Sequence, residues 1–361
     1  FDYIVSAVRM GMVDGQFVVN PTATQLEGSR VDMMVSGTDD SIVMVEGEMQ
    51  EISEEEMLEA LRVAHEAIKK LNGLQRELRD AVAKEKREFT PAEKDEALFA
   101  QVKDLAAQKI HDIVHGDTKK QERSEAFKAL KDEVMTTIIP EDYVPEEGED
   151  MELKAKRVSA YFTELEKHTM REMILEEGKR LDGRKVDEVR AITTEVSYLP
   201  RAHGSSVFTR GETQSLCTVT LGAKTDEQTI DWATYQGSKS FMLQYNFPPF
   251  STGEVKFLRG ASRREIGHGN LAERALKPMV SPDNEYTIRV ASDILESNGS
   301  SSMASVCAGS MALMDAGVKF DKGVSGIAMG LIIDEDTNRW AVMSDNLGDE
   351  DLLSDMDLKE A

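Results

Sequence analysis

Two short segments, Val5-Ser-Ala-Val-Arg-Met-Gly11 and Val324-Ser-Gly-Ile-Ala-Met-Gly330, agree at four of seven positions in the same order. Further on, Ser29-Arg-Val-Asp32 resembles Ser354-Asp-Met-Asp357. A repeat this widely spaced predicts two copies of one strand-rich unit, with whatever lies between them as a separate element. It also restricts function, because the two copies need not keep the same chemistry.

The texture between the copies is helical. Residues 1 to about 50 hold short β-branched and apolar runs broken by Gly and Asn-Pro, which predict strands and turns. Ser53 with Glu56 forms a capping box that opens a helix carrying Leu58, Leu61, His65, Ile68 and Leu71. Thr90-Pro91 with Glu93 reads as a second helix start, followed by Leu98, Val102, Leu105 and Ile110. The stretch 138–151, with two prolines and an acidic run, reads as a linker, and a long helical pattern follows from about 151 to 178. From Ile192 strands return, alternating with helical stretches near 268–277 and 302–316. The expected fold is α+β: two βαβ cores, the first partial, flanking a small all-helical domain. The boundaries expected are 1–72 for the first core, 73–150 for the helical domain, 151–178 for a connecting helix and 179–361 for the second core.

The formal net charge of −24 over 361 residues argues against a general nucleic-acid binder, so any RNA site must be a local basic patch. Cys217 and Cys307 have neither metal-ligand nor disulfide spacing and read as core residues of a reducing compartment. No apolar run reaches membrane-spanning length. His65 reads as a packed histidine. His111 and His115 share one helix face but lack a third ligand.

Four stretches of the second copy carry chemistry. Arg259 to Gly269 crowds Arg259, Arg263, Arg264 and His268 around glycines, just ahead of a helix placed near Asn270. Guanidinium forks suit phosphate. Ser297-Asn-Gly-Ser-Ser-Ser302 precedes a helix that ends at Gly317, where the serines read either as N-caps or, with free N–H groups, as an anion site; the cluster exceeds what one cap needs. Gly348 to Lys359 packs carboxylates that repel one another unless a cation neutralises them, so the stretch reads either as an acidic surface loop or as a site whose hard oxygens suit magnesium or manganese. There Asp355, Asp357 and Lys359 fall on one strand face. Arg201 to Gln214 is a polar turn that reads as support for neighbouring strands. No Ser-His-Asp triad, phosphate-binding P-loop or dinucleotide fingerprint is present.

Together RLDGR, RAHGS, FTRGETQ, YNFPPFSTGE, RREIGHG, SDILESNGSSSMASVCAG, GIAMGL and LGDED resemble the polynucleotide phosphorylase (polyribonucleotide nucleotidyltransferase) family, in that family's order. The resemblance implies two ribonuclease PH-like cores around a helical domain. It also implies that this chain is a fragment lacking both ends, without the family's KH and OB-type domains. It implies 3′-to-5′ processive phosphorolysis of single-stranded RNA by inorganic phosphate, with release of nucleoside 5′-diphosphates, reversibly. Ser301 and Ser302 are implied to hold phosphate. Arg263, Arg264 and His268 are implied to grip RNA. Asp351, Asp357 and Lys359 are implied to be catalytic, with Mg2+ (or Mn2+) on Asp351 and Asp357. A cytoplasmic homotrimer acting in mRNA degradation and RNA processing, with RNA-degradosome partners and no membrane association, is the implied setting. In the first copy Asp32 stands opposite Asp357, Leu26 opposite Asp351 and Met34 opposite Lys359, which reads as an inactive core. Departures from the family pattern are Gln244 for His, and Asn346, Leu352, Ser354 and Leu358 for Ile, His, Gly and Phe. Rival readings are a non-catalytic RNA-binding or scaffold subunit, a hydrolytic nuclease and a single-core transfer-RNA trimming phosphorylase.

Overall fold

The computed structural model describes residues 3–91, 93–116, 118–145, 149–231, 233, 236–258 and 260–361. The chain divides into two units, Phe1–Pro91 and Ala92–Ala361.

In the first unit, β1 (Ser6–Val13) and β2 (Gln16–Val19) form a hairpin, a short helix α1 (Ala23–Leu26) follows, and β3 (Val31–Gly37) and β4 (Ile42–Met49) complete an antiparallel sheet ordered β2-β1-β3-β4. Alternation places Val8, Met10, Val31, Met33 and Val35 on one face, where all are buried. Helix α2 (Glu54–Val82) covers that face. Its expected cap is present: Ser53 Oγ accepts from Glu56 N at 3.1 Å and Glu56 Oε2 accepts from Ser53 N at 2.8 Å. The buried stripe is Ala60, Ala64, Ile68 and Asn72, whereas Leu58 is exposed. Alanines let the helix approach the sheet closely, with Met57, Leu61 and Leu71 packing at the margins of the contact. His65 is a packed histidine, its Nε2 lying 3.0 Å from Thr38 O.

The second unit opens with three helices, α3 (Glu96–Val114), α4 (Lys120–Ile138) and α5 (Met151–Glu177). Helix α3 starts later than Thr90-Pro91 suggests, because Asp95 takes the cap position by accepting from Leu98 N at 2.9 Å. Leu98, Val102, Ile110, Phe127, Leu130, Phe162 and Leu165 fill the bundle core, and Leu347 and Leu353 from far along the chain enter the same core. His111 and His115 stack at 3.9 Å, and His115 Nε2 meets Glu177 Oε1 at 2.9 Å.

A five-stranded sheet follows: β5 (Ile192–Val196), β6 (Gly204–Arg210), β7 (Thr213–Gly222), then, after the small hairpin of β8 (Gln228–Asp231) and β9 (Gln236–Lys239), β10 (Phe241–Asn246). Helix α6 (Arg263–Leu276) connects β10 to β11 (Thr287–Glu296), which lies parallel to it in the order β10-β11-β7-β6-β5, a βαβ unit. Helix α7 (Ser301–Asp315) is buried along nearly its whole length against this sheet and α6. It lies so near β6 that a Cβ on Gly204 would come within 2.3 Å of Ala312 O. Gly317, at φ +72°, provides the left-handed exit. Cys217 is a buried core residue, and burial pushes its thiol up to about 11.

A second, smaller sheet closes the chain: β12 (Ile327–Asp334), β13 (Arg339–Ser344), a short helix α8 (Gly348–Asp351) and β14 (Met356–Glu360), ordered β13-β12-β14. The repeat read in the sequence is this motif. In both units a central strand pairs antiparallel with a hairpin partner and with a later strand, and a short helix precedes the latter. The registers agree as well: Gly11 faces Asp32 and Gly330 faces Asp357, while Arg9 faces Met34 and Ala328 faces Lys359. The observed class is α+β, as expected.

Phe162 is 1% exposed at the centre of the helical bundle. Phe162→Ala is expected to lower unfolding free energy by about 3–5 kcal/mol, read as a drop in the urea midpoint at unchanged slope.

Candidate active site

The turn into α7 is built for close approach. Gly299 sits at φ +87°, and a Cβ there would lie 2.6 Å from Asn346 O and 2.7 Å from Gly348 N. Ser300 follows in the left-handed region at φ 52°, a costly conformation for a residue with a Cβ. The first helical bond is Ala304 N to Ser300 O, so the N–H groups of the preceding turn have no intrahelical acceptor. Ser300 makes no side-chain cap. The hydroxyls of Ser300 and Ser302 are buried without a hydrogen-bond partner among the described residues. Ser301 Oγ meets the Tyr245 hydroxyl at 2.6 Å. Unpaired hydroxyls and N–H groups at the positive end of a fifteen-residue helix make an anion site.

Side chains from other elements hold this turn from behind. Arg190 Nη1 donates to Asn298 O at 2.6 Å, Arg210 Nη2 to Ser300 O at 3.0 Å and Thr213 Oγ1 to Gly299 O at 3.1 Å. The arginines are fixed in turn by Asp345, which is fully buried. Arg190 Nη2 and Arg210 Nε each lie 2.7 Å from Asp345 Oδ1, and Arg184 Nη1 lies 3.3 Å from Oδ2. Burial alone would raise the Asp345 carboxyl, but hydrogen bonding from Arg190 and the charges of Arg210 and Arg190 hold it below its ordinary value. Burial brings Arg210 down to about 10, still cationic at neutral pH. The stretch 201–214, read as a polar turn, is mostly strand β6, with Arg210 as its last residue and Thr213 as the first of β7; Arg190 and Asp345 lie outside every stretch singled out in the sequence.

The acidic stretch sorts itself by partner. Asp349 Oδ2 accepts from Arg123 Nη2 at 2.7 Å, and Asp355 Oδ2 from Arg171 Nη2 at 2.8 Å. Glu350 and Arg180 form an ion pair in which both side chains are fully buried, and Glu350 Oε2 also accepts from Leu347 N at 2.9 Å. Asp355 precedes β14 and is engaged by Arg171, while Asp357 and Lys359 lie on the strand and pair with each other. Asp351, the last residue of α8, keeps a buried Oδ1 without a hydrogen-bond partner among the described residues. Burial and the charge of Asp357 raise its carboxyl to about 6. Two hard-oxygen groups, one with a free oxygen, suit Mg2+ or Mn2+, which keep several waters and need few protein ligands. Among the described residues no three His, Cys, Asp or Glu surround one point, so water and phosphate oxygens would complete the shell.

Helix α6 starts earlier than the sequence suggested. Ser262 Oγ accepts from Glu265 N at 3.2 Å and Glu265 Oε2 accepts from Ser262 N at 2.7 Å, a capping box that puts Arg263, Arg264 and His268 on the helix itself. Arg259 lies outside the described residues. Arg264 stacks its guanidinium over Phe247 at 4.2 Å. The His268 ring is 5.3 Å from Tyr245, and its Nδ1 is buried without a hydrogen-bond partner among the described residues. Burial, then the charges of Arg264 and Lys359, bring it down to about 4, so it is neutral at pH 7. Ser301, Tyr245, His268, Asp357, Lys359, Asp351 and the Gly299 turn thus form one connected neighbourhood. Arg263 stays on the exposed first turn of α6, outside these contacts. Among the departures from the family pattern, Gln244 is exposed and accepts from Arg289 Nε at 3.0 Å, Leu352 is exposed, and Ser354 Oγ donates to Glu350 O at 2.9 Å.

The first unit uses the same frame differently. Asp32 is held by Arg9, with Nε at 2.7 Å and Nη2 at 2.6 Å from its two oxygens. Leu26 ends α1 where Asp351 ends α8, and Met34 takes the register position of Lys359.

Comparison with known proteins gives matching families along most of the chain. Residues 188–319 match the 3′ exoribonuclease family, domain 1, and residues 3–67 match domain 2 of that family. Residues 97–185 match the polyribonucleotide nucleotidyltransferase RNA binding domain. The chain is 53% identical over 360 residues to a polyribonucleotide nucleotidyltransferase of Christiangramia forsetii, covering 99% of this chain and 47% of that protein. It is 54% identical over 361 residues to that of Bacteroides fragilis, covering 99% and 50%. The chain spans about half the length of the curated relatives it matches.

Because Asp345 titrates lower when folded, the unfolded state takes up its proton first as pH falls. Its stabilisation is present above the ordinary aspartate value of about 4 and is lost below it. Denaturant unfolding at pH 7, 4 and 3 should show this acid limb, flattened in Asp345→Asn.

Proposed function

Since the chain belongs to the polyribonucleotide nucleotidyltransferase family, we propose that this site, in the complete protein, shortens single-stranded RNA from its 3′ end with inorganic phosphate. The observation that carries the reading is that the Gly299 turn, which leads into the unpaired hydroxyls of Ser300 and Ser302, packs against the backbone of Asn346 and Gly348 at the start of the short helix that ends in Asp351.

Phosphate is held by Ser301, Ser302 and the free N–H groups of the α7 turn. There it attacks the last phosphodiester in line. The bond to the 3′ oxygen breaks as the new P–O–P bond forms, and a nucleoside 5′-diphosphate leaves with an RNA one residue shorter. Lys359, anchored by Asp357, is placed to give a proton to the leaving 3′ oxygen. Arg264, with Arg263, grips the RNA backbone, and neutral His268 offers a hydrogen bond without adding charge. Asp351 and Asp357 would hold a divalent cation, Mg2+ or Mn2+, which when bound supplies positive charge against the developing phosphate oxygens. The bonds made and broken are of similar energy, so the reaction runs in reverse and polymerises diphosphates. Residues 1–72 are assigned to the first core, 73–150 to the helical domain, 151–178 to a connecting helix and 179–361 to the catalytic core. A homotrimer in the cytoplasm, serving mRNA degradation and RNA processing alongside degradosome partners, is the setting we propose. Among the described residues no helix is long and apolar enough to cross a membrane.

The decisive assay incubates the full-length protein with 3′-labelled RNA, with and without phosphate and magnesium. Diphosphates released only when phosphate is present support phosphorolysis; monophosphates formed without it would establish a hydrolase, and no release a non-catalytic subunit. Asp357→Ala should abolish diphosphate release while leaving the circular-dichroism spectrum intact. Ser302→Ala should raise KM for phosphate by about tenfold, the loss of one charge-assisted hydrogen bond, with a smaller change in kcat.

A further inference from the structure

Asn346 is fully buried, yet neither its Oδ1 nor its Nδ2 has a hydrogen-bond partner among the described residues. Leaving such a group unsatisfied costs about 1–3 kcal/mol, so an amide in this condition points to something absent from the protein's own atoms. Its surroundings say where that something sits. The backbone of Asn346 lies against the Gly299 turn. A Cβ on Gly330 would come within 2.3 Å of Asn346 Nδ2, and Gly330 is the register partner of Asp357. The amide lies close enough to Asp351 to act on its carboxyl as a hydrogen-bonding neighbour, partly offsetting its rise, but the contact is not a well-formed hydrogen bond: among the described residues Asp351 Oδ1 and both amide atoms stay unsatisfied in one place. Ser354 Oγ, which lies beside the same Gly330 position, donates to Glu350 O.

We propose that Asn346 is a ligand of the divalent cation held by Asp351 and Asp357, supplying a neutral amide oxygen beside the two carboxylates. Amide oxygens are ordinary ligands of hard cations. The two ends of a carboxamide are nearly isosteric, so a half-turn about χ2 presents the oxygen while the N–H2 faces the carboxylate. The side chain is pre-positioned because Asp345, its neighbour, is fixed by arginines on both carboxylate oxygens. This inference rests on reading Asp351 and Asp357 as the cation site.

The test is calorimetric titration of the 361-residue chain with Mn2+ alone, comparing the unaltered protein with Asn346→Leu, Asn346→Asp and Asp351→Asn, each checked for folding by melting temperature. Asn346→Leu should weaken Mn2+ binding by about tenfold or more, with its melting temperature kept or raised because a buried unpaired amide is removed. Asn346→Asp should bind at least as tightly as the unaltered chain. A folded Asn346→Leu protein of unchanged affinity overturns the proposal and leaves an amide satisfied by structural water; weakened binding in Asn346→Asp overturns it as well, and decides the matter if the leucine variant does not fold. Absence of saturable Mn2+ binding by the unaltered chain, or binding unchanged in Asp351→Asn, instead overturns the cation-site reading on which this one stands.

Discussion

Everything at the site hangs on one buried carboxylate, Asp345, and the arginines around it. Removing several charges from water costs several kcal/mol per ion, so a cluster of this kind survives only when most of its groups are satisfied; Arg210 Nε lies 2.7 Å from Asp345 Oδ1 without a well-aligned hydrogen bond. Here the return is positional. Asp345 fixes Arg190 and Arg210, and these hold the carbonyls of Asn298 and Ser300, so the strained turn into α7 is braced from behind. Arg180 ties the same loop to α8, donating to Asp345 O at 2.8 Å while pairing with Glu350. A single network therefore sets the turn into α7 and the short helix α8 relative to each other. Positions that must be held to within fractions of an ångström for chemistry need support of this stiffness.

Charge is sorted rather than accumulated. The body is strongly acidic, and the acidic stretch after β13 looks uniform in sequence. Arginines from three separate places, Arg123 on α4, Arg180 after α5 and Arg171 on α5, neutralise Asp349, Glu350 and Asp355. What is left unneutralised by arginine is Asp351 and Asp357, with Lys359 beside the latter. The helical bundle thus takes part in the site. It supplies Arg123 and Arg171, it receives Leu347 and Leu353 on either side of α8, and Lys120 Nζ donates to Ser297 O at 3.0 Å.

Two copies of one strand motif share a register to the residue and differ in chemistry. In the second, a carboxylate ending the short helix faces a carboxylate and a lysine on the following strand. In the first, Leu26 and Met34 take two of these places, and Arg9 from the central strand clasps Asp32 from both sides. A carboxylate satisfied bidentately by an arginine has little left to offer a cation. The backbone frame is therefore neutral toward function, and three side chains separate the two outcomes.

Local rules wrote much of this in plain text. The Ser53–Glu56 box, the extent of α5, the left-handed exit at Gly317 and strands such as β1, β7, β11, β12 and β13 depend on residues within a turn or two of one another, and the repeat on two such local patterns matching far apart; these were legible in the sequence, whereas β6 and β10 were not. The runs that hold Ser301, Ser302, Asp351, Asp357, His268 and Arg264 stood out by residue type, while the individual roles proposed for those residues came from the family resemblance. Where competing local signals existed the reading slipped: Asp95 outcompeted Thr90 as a cap, and the Ser262–Glu265 box moved α6 forward over the arginines. The partners of the acids were beyond reach, since Arg123 and Asp349 are more than two hundred positions apart, as Arg190 and Asp345 are more than a hundred and fifty. Composition tells which charges exist, but the choice of which charge meets which is made by chain crossings that bring distant segments within 3 Å. That is why the chain's linear order names the reactive residue types, while only its folded contacts determine which of them remain free to react.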